Sequence, residues 1–165
     1  MAALGSLETS LAGIFKCLPN ISEGARKTIV SWAPWLDLAA GILSLLSLYW
    51  LWQWAHLANA WVNAANQLSA SLGYGNVATT RLTVGIWLAL AVVAVEAVLY
   101  LAAFTGLKAQ KKSGWNLIFY GAIVNVIYGV VLLFTDYGSV GNFLGYLIGS
   151  VIALWLLFQI RPAYR

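Results

Sequence analysis

LTVGIWLALAVVAVEAVLYLAAFTG, residues 82–106, is a run of 25 residues with a single charged side chain, Glu96. A helix needs roughly 20 apolar residues to cross a hydrocarbon core of about 30 Å. A segment in hydrocarbon must also satisfy its own backbone N–H and C=O groups, and a lone segment does so only as a helix. The run therefore reads as a spanning helix. Its reading decides the fold because three further windows match it: 33–55, 115–134 and 141–160. Over the whole chain 62% of residues are hydrophobic and 8% are charged, where soluble domains carry about 25% charged residues. Such a chain cannot cover itself for water. The expected fold class is all-α: a polytopic membrane protein with four transmembrane helices and additional amphipathic interfacial helices.

Working outward from the spans, the basic residues set the topology. Lys16, Arg26 and Lys27 precede the first span. Lys108, Lys111 and Lys112 separate the second from the third, and Arg161 and Arg165 follow the fourth. With an even number of spans these eight share one side, and Arg81 alone lies on the other. The positive-inside rule then sets both termini on the cytoplasmic side, or its equivalent. The N-terminus lacks the basic-then-apolar pattern of a signal peptide, so insertion is expected to use the internal spans. Trp35, Trp50, Trp52, Trp54, Trp87 and Trp115 sit near the ends of the runs and read as an aromatic belt at the headgroup level.

The remaining segments read as amphipathic. Leu4, Leu7, Leu11, Ile14, Phe15 and Leu18 recur at helical spacing, which predicts a surface helix closed by Pro19. A second short helix is expected over 22–34. Leu57, Trp61, Ala64 and Leu68 form a stripe in 56–72, predicting an outer amphipathic helix that either stands alone or continues the first span. A Gly-Tyr-Gly turn at 73–75 follows it, and Asp136 and Asn142 flank a short outer turn further on. The division is an N-terminal amphipathic segment, 1–32, and a four-helix transmembrane domain, 33–165. Trp35 and Gly41 match Trp115 and Gly121 at one offset, suggesting a tandem αα-hairpin repeat.

GLKAQKKSGWNLIFY, residues 106–120, and LLFQIRPAY, residues 156–164, resemble a family of small bacterial four-helix membrane proteins. The shared features are a lysine-rich loop, a Gly-Trp-x-Leu-x-Phe-Tyr helix start and a closing Leu-Phe-Gln-Ile-Arg. The resemblance implies the four-helix fold and the inside loops, and it carries no activity. A bacterial inner membrane, or a thylakoid, is the expected location.

Few residues are left to carry chemistry. Span midpoints fall at Ser44, near Glu96, at Asn125 and at Ser150, so each helix brings a polar group to one depth. A charge at that depth costs at least about 2.5 kcal/mol, so Glu96 is expected to face the bundle or a partner and to hydrogen-bond Asn125. Gly141, Gly145 and Gly149 form a small-residue row on the fourth span, and Gly121, Asn125 and Gly129 form one on the third. Such rows let helix backbones approach closely, against each other or against another protein. Lys108, Lys111 and Lys112 are topology signals that also suit anionic headgroups or an acidic partner. Asp37, just after Pro34, reads as a helix-start carboxylate.

With one Cys and one His in the chain, no internal disulfide and no Cys- or His-cluster metal site is expected. No phosphate-binding loop, zinc-protease or nucleophile-elbow motif is present, so no enzyme is expected. No cofactor is predicted, although a chlorin or haem on Glu96 or His56 stays open. The expected function is a non-enzymatic accessory or scaffolding subunit of a larger membrane complex, with the lipid bilayer and other membrane subunits or a second copy as partners and no nucleic acid. A small oligomeric transporter or channel using Glu96 and Asn125 is one alternative. A pigment- or quinone-associated subunit of an energy-converting membrane is the other.

Overall fold

A computed structural model describes residues 2–75, 81–133 and 140–165, with side chains at all of these except 2–4, 81–84, 140 and 142. Asp136 and the side chains of Leu4, Arg81 and Asn142, which figure in the expectations above, lie outside that description. The described residues form five α-helices and a closing 3-10 turn, with no strand among them: α1 Ala2–Phe15, α2 Glu23–Ser71, α3 Arg81–Lys108, α4 Lys112–Leu133, α5 Val140–Ile160, then the turn Arg161–Ala163. Four of them, α2 to α5, are long and apolar enough to cross a membrane.

α2 differs most from expectation. The short helix over 22–34, the span at 33–55 and the amphipathic segment 56–72 are one helix of 49 residues. At 1.5 Å per residue it is about 70 Å long. It starts where the Ser22 hydroxyl accepts the backbone N–H of Ala25 at 3.2 Å. Pro34 lies inside it and does not stop it, so its ring leaves the Val30 carbonyl without the usual donor four residues on. No Gly or Pro occurs from Ile42 to Leu72, which gives the chain nothing with which to break the helix. It ends only at Gly73, whose φ of +79° supports a Schellman cap: Gly73 N–H donates to the Ala70 carbonyl and Tyr74 N–H to that of Ser69. The stripe Leu57, Trp61 and Leu68 is exposed on it.

Neighbours in sequence pack as neighbours in space: α2 on α3, α3 on α4, α4 on α5. α2 and α5 meet only at a few points, so the four helices make an open row and not a closed bundle. The α3–α4 connection is a second Schellman cap. Gln110, at φ +51°, occupies the left-handed position, its N–H donates to Leu107 O, and Lys111 N–H reaches Gly106 O at 2.8 Å. The two helices leave this turn nearly in contact. A Cβ on Gly114 would lie 2.4 Å from Leu107 N, and one on Gly106 would lie 2.7 Å from Gly114 Cα.

The tightest core sits at this same end. Trp115 is 0% exposed and Phe119 1%, their rings stacked at 5.3 Å. Phe158 of α5 meets both rings edge-on and stacks on Phe15 of α1. The Trp115 indole N–H donates to the Leu157 carbonyl at 2.9 Å, and the Gln159 amide donates to Pro19 O at 3.3 Å. The Gly-Trp-x-Leu-x-Phe-Tyr and Leu-Phe-Gln-Ile-Arg runs are therefore two halves of one packing unit. Trp115 does not belong to an exposed belt. The other five expected there, Trp35, Trp50, Trp52, Trp54 and Trp87, are exposed. Depth along the axis brought Trp115 into the expected belt, but rotation about the axis turns it inward. The same contrast separates Trp35 from Trp115 in the suggested repeat, whereas Gly41 and Gly121 both receive side chains of α3, Leu101 and Tyr100.

Elsewhere the apolar side chains point outward. Leu36, Leu43, Trp50, Val98 and Ile148 are each about three-fifths exposed or more. An outer surface of this kind is far beyond the apolar patches of a soluble monomer.

Candidate functional site

The sparse contact between α2 and α5 leaves a groove of about 950 Å³. One wall is α5, which presents Gly141, Gly145, Gly149 and Ala153 in a line; the floor includes Tyr100 of α3 and Asn125 of α4; Asp37 and Ala40 come from α2. The glycine row on α5 does not pack on the row of α4. A Cβ at Gly145 or Gly149 would meet nothing within 4 Å. The α4 row is occupied within the chain: a Cβ at Gly121 would lie 3.0 Å from the Tyr100 ring, and one at Gly129 would lie 3.3 Å from Tyr146 Cβ.

Asp37 is not the helix-start carboxylate that the sequence suggests. It lies fourteen positions past the start of α2, so it caps nothing. Pro34 gives the appearance of a helix start here, but α2 begins a further three turns upstream. The side chain is 7% exposed, and its Oδ2 has no hydrogen-bond partner among the described residues, although it lines an open groove. A buried polar atom without a partner is costly. The signal available in sequence was the acid itself, in a stretch that is otherwise apolar from Ile29 to Leu46 apart from small residues.

At mid-length the four expected polar groups divide. Asn125 Nδ2 donates to Glu96 Oε1 at 2.9 Å, joining α3 to α4. Ser150 lines the groove beside Asn125, and Ser44 is half-buried on α2. Replacing Glu96 by glutamine keeps an acceptor for Asn125 and is expected to shift stability by less than about 0.5 kcal/mol. Glu96→Leu strands the amide and is expected to cost about 0.6 kcal/mol, and up to about 1.7. Unfolding both variants by denaturant titration in mixed micelles checks the order; equal losses would show that the hydrogen bond holds nothing.

The other expected residues stand apart from the groove. His56 is exposed and meets Trp52 edge-on at 4.7 Å, and Trp52 also meets Trp87 edge-on at 5.6 Å. Lys108 lies over the Trp35 ring at 5.8 Å, Lys112 pairs with Glu8 of α1 at 3.5 Å, and Lys111 is exposed. Glu8 also binds Arg161, so one carboxylate ties α1 to both α4 and the closing turn. Among the described residues no group of three or more His, Cys, Asp or Glu side chains is arranged to hold a metal ion. No family model matches this chain, and neither a curated protein nor a solved structure does.

Proposed function

We propose that this protein is a non-enzymatic integral membrane subunit whose α2–α5 groove receives a transmembrane helix of a larger partner. One observation carries the reading: among the described residues nothing lies within 4 Å of a Cβ added at Gly145 or Gly149, and both line a groove that also holds Asp37, whose Oδ2 has no hydrogen-bond partner there. In lipid, helices associate by close packing and by polar contacts, because tails already solvate apolar side chains. A glycine row supplies the first and Asp37 the second. The occupant suited to both is a helix with a hydrogen-bond donor or cation at the depth of Asp37. Both chain ends lie on the cytoplasmic side in this reading, from the clustering of basic residues at that end.

The test fills the groove. A Gly145→Leu, Gly149→Leu double variant, purified from native membranes in mild detergent, is expected to retain its helicity and to lose at least tenfold of a partner held in fixed ratio by the wild type. Ile148→Leu, on the outward face, is the control and retains it. A wild type that runs as a homo-oligomer without a second subunit would sink the proposal. Visible absorbance bands on the same sample would move a pigment-bearing subunit to the front.

One observation favours a second reading. Asn125, bonded to Glu96, lines the groove together with Tyr100 and Ser150, which is the outline of a polar path through an oligomeric transporter. That reading requires loss of flux in Glu96→Gln vesicles, where the subunit reading requires none.

A further inference from the structure

A second cavity, of about 410 Å³, opens at the basic end of the molecule. Four cations from four separate places in the chain line it: Lys16 just past α1, Arg26 in the first turn of α2, Lys112 at the start of α4 and Arg161 in the closing turn. Asn20 and Tyr164 also line it. Glu8 is the carboxylate bound to two of the four, Lys112 and Arg161, which leaves a surplus of positive charge. Arg161 is further fixed over the Trp115 ring at 5.7 Å. Arg26 Nε and the Tyr164 hydroxyl are buried and lack hydrogen-bond partners among the described residues. Burial, with the Asp37 carboxylate adding to it, pushes the Tyr164 hydroxyl up to about 12, so it remains a neutral donor at ordinary pH.

We propose that this cavity binds the phosphate of an anionic phospholipid headgroup. An arginine fork, further cations and a neutral O–H donor match a phosphate ester, whose oxygens accept several charge-assisted hydrogen bonds. The position fits a lipid. Basic pockets between spanning helices on the cytoplasmic side hold anionic headgroups, and Leu7, Ile14 and Leu18 are exposed along and just past α1, where acyl chains would run. The four cations that carry the inference lie outside the α2–α5 groove.

The experiment uses delipidated full-length protein in non-ionic detergent, with dioleoyl phosphatidylglycerol, dioleoyl phosphatidylcholine and inorganic phosphate as probes, bound ligand being counted by native mass spectrometry and equilibrium dialysis. The wild type is expected to retain one phosphatidylglycerol at least tenfold more tightly than phosphatidylcholine. A Lys16→Gln, Arg26→Gln double variant is expected to lose at least tenfold of that retention and to melt as the wild type does without lipid. These two positions leave the Glu8 pairs that dock α1 intact. Equal retention of both lipids, or retention unchanged in the variant, overturns the proposal. Inorganic phosphate that displaces the lipid at equal concentration keeps the phosphate chemistry and overturns the lipid as its source. Should the variant misfold, salt decides on the wild type: retention falls at least tenfold between about 50 and about 500 mM salt if charge holds the ligand, and salt-independent retention overturns the proposal.

Discussion

Trp115→Ala is expected to lose about 3–5 kcal/mol of stability, the range for emptying a large aromatic site in a core. The site is fully enclosed, and four separate contacts end together: the stack on Phe119, the edge-on contact with Phe158, the face presented to Arg161, and the indole hydrogen bond to the Leu157 carbonyl. The Leu157 carbonyl loses that donor in a place that water does not reach. Trp115→Phe restores most of the volume and is expected to recover about half of the loss. Denaturant titration in mixed micelles, followed by helical circular dichroism, gives both values. A Trp115→Ala variant within about 1 kcal/mol of wild type would mean that α4 and α5 are not held together here.

Gly114→Ala carries the second large effect, from the addition of one methyl group. The new carbon would lie 2.4 Å from Leu107 N and 2.5 Å from the Gly106 carbonyl carbon. Both are backbone atoms of a capped turn and have no rotamer with which to escape. Overpacking costs about 1–3 kcal/mol, and the expected loss is at the top of that range. The matched control is Gly145→Ala, where the added carbon meets nothing within 4 Å and alanine favours the helix over glycine by about 1 kcal/mol. The two substitutions should therefore differ in sign in the same assay. Equal destabilisation would indicate that the α5 row is filled within the chain itself.

What could be read beforehand depended on which physical quantity the sequence encodes. Length and apolarity are encoded locally, so the four spanning-length helices were legible, with α3, α4 and α5 bounded within a few residues of the expected windows. Depth along a helix is encoded by position in the run, and on that ground alone Glu96 and Asn125 were paired. Rotation about the axis is encoded only by which neighbour a face meets. Sequence therefore sets Trp115 in the aromatic belt although it faces inward, and sets Asp37, beside an apparent helix start at Pro34, as a cap although it lies within α2. The extent of α2 was in principle available, since the stretch from Ile42 to Leu72 contains no breaker. The polar residues after His56 leave open whether the amphipathic stretch stands alone or continues the first span, and the structure has it continue. The α2–α5 groove leaves no local trace in sequence, because it comes from two distant elements meeting at only a few points.

The continuity of α2 has a mechanical consequence. α3 meets α2 from Trp35, edge-on to Phe104, to Trp52, edge-on to Trp87, so the 49-residue α2 extends past α3 at both ends, with about 13 residues, or about 20 Å, of helix on the Leu57 side. A rod of this kind is a lever. A rotation of about 10° at the supported part would swing its tip sideways by about 3.5 Å, and no glycine or proline between Ile42 and Leu72 offers a hinge to absorb it. Whatever seats itself between α2 and α5 would thereby be reported, as displacement, to the face carrying Leu57, Trp61 and Leu68.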